Sequence, residues 1–130
     1  MGRPVVYLTE NPASAMLERI VHFIDSDDEE DGNLPRFYQL LRVQVPDELA
    51  TKQLNAIAPT DWREHPEFTR VIGDAWLASR ETLLARVPSA IVPHTWNLLL
   101  NPEHPDAKQV VVAEVIRERF DNRLFRFGAR

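Results

Sequence analysis

Cysteine is absent from this 130-residue sequence, so neither a disulfide staple nor a thiolate metal site is possible. Glycine is scarce, with four in the chain, and none stands in a phosphate-cradling loop of Walker or Rossmann type. No apolar run approaches the roughly 20 residues that span a bilayer. No basic segment followed by an apolar stretch marks a secretory signal. The expectation is a cytoplasmic protein with no membrane contact. Positive charge is also short: the formal net charge is −5, and Lys and Arg nowhere cluster. Nucleic acid selects basic patches, because phosphate neutralisation dominates that affinity. Direct nucleic-acid binding is therefore not expected, and the acidic balance favours a basic protein partner.

Other chemistries lack their spacing. His22, His65, His94 and His104 do not fall at metal-ligand intervals, and no HExxH occurs, so no metal is expected. Ser89 has no G-x-S-x-G context, which removes the hydrolase elbow. The acidic run Asp25 to Asp31 does not place its glycine where an EF-hand loop needs it, and reads as a solvated loop.

The segments present predict an α+β domain. Pro4 to Thr9 reads as a short buried strand. Asn11-Pro12 then opens a helix, with Asn as N-cap and Pro at the first helical position. Ala13, Met16, Leu17, Ile20, Val21 and Ile24 follow at helical spacing as its apolar stripe. Arg36 to Val45 alternates, with Phe37, Gln39, Leu41, Val43 and Val45 on one face of a strand. Asn55 to Pro66 reads as an irregular connection. Pro66 opens a second helix with Phe68, Val71, Ile72, Ala75 and Trp76 on one side and with Gly73 permitting close packing. Thr82 to Val87, Ala90 to Val92, Trp96 to Leu100, Gln109 to Ile116 and Arg123 to Phe127 read as strands, several divided by prolines. Early helices and crowded later strands suggest a mixed or antiparallel sheet in one domain, residues 1–130.

Three segments together resemble the RES-domain family of bacterial toxins. Gly2-Arg3-Pro4-Val5-Val6-Tyr7, followed by Ala13 to Leu17-Glu18, is similar to the family's G-x-P-V-V-Y strand and A-x-x-x-L-E helix. Asp61-Trp62-Arg63 and Ile72-Gly73-Asp74-Ala75-Trp76-Leu77 are similar to D-W-R and I-G-D-x-W-L. Arg86-Val87-Pro88-Ser89, Asn97 and Leu100-Asn101-Pro102-Glu103-His104-Pro105 resemble R-V-P-S and L-N-P-x-H-P. Order and spacing hold across nearly the whole chain.

The resemblance implies a fold related to ADP-ribosyltransferases, a mixed sheet with flanking helices. It implies NAD as substrate, degraded by phosphorolysis or hydrolysis or used for ADP-ribosyl transfer to a protein. It also implies a helix-turn-helix antitoxin as partner and points to a homodimer. The family's arginine lies in a G-G-R-W-N-type loop upstream of the P-V-V-Y strand. The chain is therefore expected to be N-terminally truncated relative to the family, which leaves open an inactive remnant that only binds the antitoxin.

The resemblance singles out four residues, each with a plainer alternative. Tyr7 matches the family's active-site tyrosine, able to stack on nicotinamide, against a tyrosine packed in the core. Glu18 matches its glutamate, placed to stabilise an oxocarbenium-like centre, against a solvated helix residue beside Ser14. Ser89 matches its serine and would bind ribose or phosphate, against a turn serine; no adjacent base makes it a nucleophile. Arg86 stands as a phosphate contact or as half of an edge salt bridge. His94, Asn97, Asn101 and His104 line a pocket or satisfy backbone groups, the latter preferred. Trp62, Trp76 and Trp96 read as core or dimer aromatics.

Overall fold

The computed structural model describes residues 3–24, 36–54 and 66–125. The acidic run, the 55–65 connection with Asp61-Trp62-Arg63, and residues 126–127 of the expected last strand lie outside this range.

Strand β1 (Val6–Thr9) leads into helix α1 (Pro12–Ile24). Asn11 caps that helix: its Oδ1 accepts a hydrogen bond from the Ser14 N–H at 2.9 Å, satisfying one of the orphan donors of the first turn. Strands β2 (Phe37–Gln44) and β3 (Thr51–Gln53) come next. Helix α2 (Pro66–Ser79), β4 (Leu84–Pro88), β5 (Trp96–Leu100) and β6 (Val111–Arg119) follow. Short 3₁₀ helices span Pro105–Gln109 and Asn122–Phe125.

The strands form a four-stranded sheet in the order β1-β5-β4-β3 and a separate β2-β6 ribbon. Within the first, β1-β5 and β5-β4 are antiparallel while β3-β4 is parallel. The chain is thus α+β with a mixed sheet. Registers Thr9↔Asn97 and Val87↔Asn97 place Asn97 between two partners, and alternation carries Tyr7, Thr9, Leu99, Ala85 and Val87 onto the same face. Helix α2 covers that face: Trp76 and Leu77 pack with Ala85 and Leu99, joined by Val5, Leu54 and Val87. The opposite face carries Leu84 and Leu100, which pack with Leu83, Leu8, Val45, Leu49, Ala107 and Val110. Each large side chain buried there contributes about 1.5–3 kcal/mol.

Several expectations from the sequence are corrected. On α1, Met16 and Ile20 of the apolar stripe are half-buried as expected, but so is Glu18, Ser14 is buried, and Leu17 and Val21 of the stripe are exposed. A helical period locates a stripe but not its neighbour, and here two side-chain donors draw a carboxylate inward. In α2 the buried residues are Trp76 and Leu77, with Phe68 and Val71 exposed. Gly73 is not there for close packing, because a Cβ at that position would meet nothing within 4 Å. In β2 the partly covered residues are Tyr38 and Leu40, then Val43; a register shift between Arg42 and Val43 breaks simple alternation. Ala90 to Val92 is a turn rather than a strand, since the Ser89 hydroxyl takes the N–H groups of Ile91 and Val92. Asn122–Phe125 is a 3₁₀ turn, and the Arg123 N–H bonds to Asp121 Oδ1 at its start.

Candidate active site

Glu18 sits on the second turn of α1, one turn after buried Ser14, so the helix side that meets the sheet carries a carboxylate. Two donors reach the same oxygen. Ser89 Oγ donates to Glu18 Oε1 at 2.9 Å, and Asn97 Nδ2 donates to Oε1 at 2.9 Å. Hydrogen bonds to an ionised acceptor contribute about 1.5–3 kcal/mol each. The other oxygen, Oε2, has no partner among the described residues.

Ser89 follows the last residue of β4, and its N–H bonds to the Thr95 carbonyl at 2.8 Å, closing the β4-β5 turn. The residue is 2% exposed. The hydroxyl gives its one proton to Glu18 and accepts from Ile91 and Val92, both at 3.1 Å. That exhausts its donor and both lone pairs. In this arrangement the Ser89 hydroxyl holds Glu18.

Asn97 is the residue that sequence reasoning undervalued. Its Oδ1 is buried and has no partner among the described residues. A buried acceptor left unpaired costs about 1–3 kcal/mol. A polar side chain in an otherwise apolar strand, W-N-L-L-L, was the available signal.

Tyr7 lies on β1 opposite Leu99, diagonal to Asn97 across the ladder. Diagonal pairs lie roughly 7–8 Å apart, within reach of an aromatic side chain. Tyr7 is 73% exposed, which removes the reading as a packed core tyrosine and leaves its ring free to stack. Arg86 is not brought to this group. It alternates with Ala85 and Val87 and so lies on the other face, 3.6 Å from Glu10 and with its guanidinium 4.4 Å from the Trp96 ring centroid. Its pairing is that of the edge salt bridge.

The remaining polar candidates are structural. Asn101 donates to the Leu77 carbonyl and accepts from the Glu103 N–H. His104 caps the first 3₁₀ helix, its Nδ1 accepting from the Asp106 N–H. His94 is exposed and holds a left-handed turn conformation with φ of 60°. Trp76 is core, with its indole N–H on Thr82 Oγ1, and Trp96 lies under Arg86. Trp62 lies outside the described residues. No three His, Asp or Glu side chains converge among the described residues, and none of the helices described is long and apolar enough to cross a membrane.

The chain is similar to known proteins along most of its length. The RES domain pattern matches residues 1–122. The chain is 44% identical over 127 residues to Toxin Res of Pseudomonas putida, covering 95% of this chain and 81% of that protein. It is 36% identical over 131 residues to the Prs ADP-ribosylating toxin of Sphingobium, covering 97% and 78% respectively. Toxin Res of Yersinia enterocolitica is 37% identical over 105 residues, covering 79% of this chain and 65% of that protein.

Proposed function

Because the chain belongs to the RES-domain family, we propose that it is the NAD-consuming toxin of a type II toxin–antitoxin system. It cleaves the nicotinamide–ribose bond with phosphate or water as acceptor. The observation that carries this reading is the Glu18 carboxylate, held through Oε1 by Ser89 and Asn97, with Oε2 left to meet a ligand.

The nicotinamide ring of NAD is cationic, so its bond to ribose C1′ breaks with the electron pair passing to the ring nitrogen. Nicotinamide leaves neutral and C1′ becomes oxocarbenium-like. A fixed carboxylate beside that centre, or bonded to a ribose hydroxyl, lowers the barrier without reorganising in the transition state. An oxygen of phosphate or water then bonds to C1′; water loses a proton as it does so. Tyr7 supplies an exposed ring for the nicotinamide. Ser89 keeps the carboxylate aimed through its bond to Oε1.

A second reading within the enzyme class is ADP-ribosyl transfer to a protein. The name of the Sphingobium relative, an ADP-ribosylating toxin, favours it. Both readings place NAD on the same residues and differ only in the acceptor. With them go three further parts of the proposal: an ADP-ribosyltransferase-like fold, a helix-turn-helix antitoxin as partner, and a homodimer.

The test is incubation of the purified protein with NAD, with and without inorganic phosphate, following nicotinamide and the ribose product. ADP-ribose phosphorylated at C1′ and formed only with phosphate supports phosphorolysis; free ADP-ribose supports hydrolysis. Label carried onto an added protein supports transfer. NAD left intact under all three conditions overturns the reading.

A further inference from the structure

The Asn97 amide carries an inference beyond the family's tyrosine, glutamate and serine. Its orientation is fixed by chemistry: Nδ2 faces Glu18 Oε1 at 2.9 Å, and a carbonyl oxygen in that place would be repelled by the carboxylate. The same orientation leaves Oδ1 buried and unpartnered among the described residues. An amide serving only to fill the strand would be replaced by an apolar residue with less loss, because the neighbours Leu98, Leu99 and Leu100 are apolar. The backbone beneath it is held from both sides, opposite Thr9 on β1 and Val87 on β4.

We propose that Asn97 is a positioning residue for Glu18. With Ser89 it clamps Oε1 from two strand-anchored donors, so that Oε2 presents in one direction toward the substrate's ribose. Asn97 acts through Glu18. Its activity readout rests on the NAD-consuming reading, whereas the clamp itself rests on the geometry alone. The other titratable groups on this face of the sheet are Tyr7 on β1 and Lys52 on β3, the latter paired with Glu81 at 2.6 Å. Half-buried Asp74 is on α2, which covers the same face, and Arg19 and His22 on α1 are exposed.

The decisive variant is Asn97→Asp, isosteric with the native residue. It sets two carboxyls face to face, and such a pair keeps one shared proton where isolated carboxyls are ionised. While that proton is present the new side chain still donates to Oε1. Once it is lost, the two groups repel and the clamp opens. Turnover of Asn97→Asp is therefore expected to approach that of the unaltered protein at about pH 5 and to fall roughly 10–100-fold below it by about pH 8. Asn97→Ala is expected to lose roughly 10–100-fold in kcat at every pH, with KM little changed.

A second measurement needs no turnover: carbon-13 NMR of glutamate-labelled protein, with the Glu18 carboxyl signal assigned by its loss in Glu18→Gln. That signal is expected to titrate differently in Asn97→Asp than in the unaltered protein. An identical titration, or parallel pH–rate profiles from variants whose circular dichroism matches the unaltered protein, overturns the clamp. Should Asn97→Asp fail to fold, the same spectrum of Asn97→Ala decides, an unmoved Glu18 signal overturning the proposal. Absence of NAD turnover with a shifted Glu18 titration would defeat the proposed reaction and leave the clamp standing.

Discussion

The Glu18 cluster and the β2-β6 ribbon reach order by opposite means. At the cluster, three side chains from α1, the β4 end and β5 meet on one carboxylate oxygen, Glu18 Oε1, and Ser89 is almost wholly enclosed. The ribbon is the longer ladder, pairing Phe37 through Gln44 with Val111 through Arg119, yet every residue of β6 is exposed. Its fixed points are the backbone ladder, an exposed Arg42–Glu114 pair, and buried Phe120 with its ring 4.9 Å from Tyr38. A two-stranded ribbon by itself is marginal in water. Backbone pairing alone thus gives a strand its shape, while a site that aims a carboxylate needs side chains fixed by neighbours from several elements.

Four substitutions break or sharpen that contrast. Trp76→Ala leaves a cavity on the α2 side of the sheet and removes the indole bond to Thr82; it is expected to cost about 3–5 kcal/mol in denaturant unfolding. Ser89→Ala removes a bond to a charged group and strands the Ile91 and Val92 N–H groups. An expected loss of about 2–3 kcal/mol in the same unfolding assay would show that the cluster supports the fold. Gly73→Ala, in a helix interior where the new methyl meets nothing, is expected to raise stability by about 0.5–1 kcal/mol, seen as a higher Tm. Leu41→Lys on the exposed ribbon is expected to change stability by less than about 0.5 kcal/mol. A loss well above that would mean that the apolar side of the ribbon is covered, and the contrast would fail.

Local chemistry was legible in the sequence wherever it acts over a few residues. Asn11-Pro12 marked the start of α1 and Pro66 that of α2, because capping and proline geometry are decided locally. The run Trp96 to Leu100 gave β5 at both ends. What failed depended on distant neighbours. The stripes of α1 and α2 were drawn from periodicity and hold in part: Met16 and Ile20 are half-buried and Trp76 is buried, but Leu17, Val21, Phe68 and Val71 are exposed while Ser14 and Leu77 are buried. Ala90 to Val92 has strand composition, and one buried hydroxyl turned it into a bend. The site was partly legible: the motifs singled out Glu18 and Ser89, which the fold unites, and Tyr7, which it sets on the same face. They also singled out Arg86, which strand alternation sends to the other face, and they undervalued Asn97, whose importance lies in a bond across 79 positions.

Glu18→Gln tests the central claim most directly, since it keeps the shape of the side chain and removes the charge that the mechanism uses. NAD turnover, followed as nicotinamide release, is expected to fall roughly 100–1,000-fold while the circular dichroism spectrum stays that of the unaltered protein. Undiminished nicotinamide release from the folded variant would contradict the account.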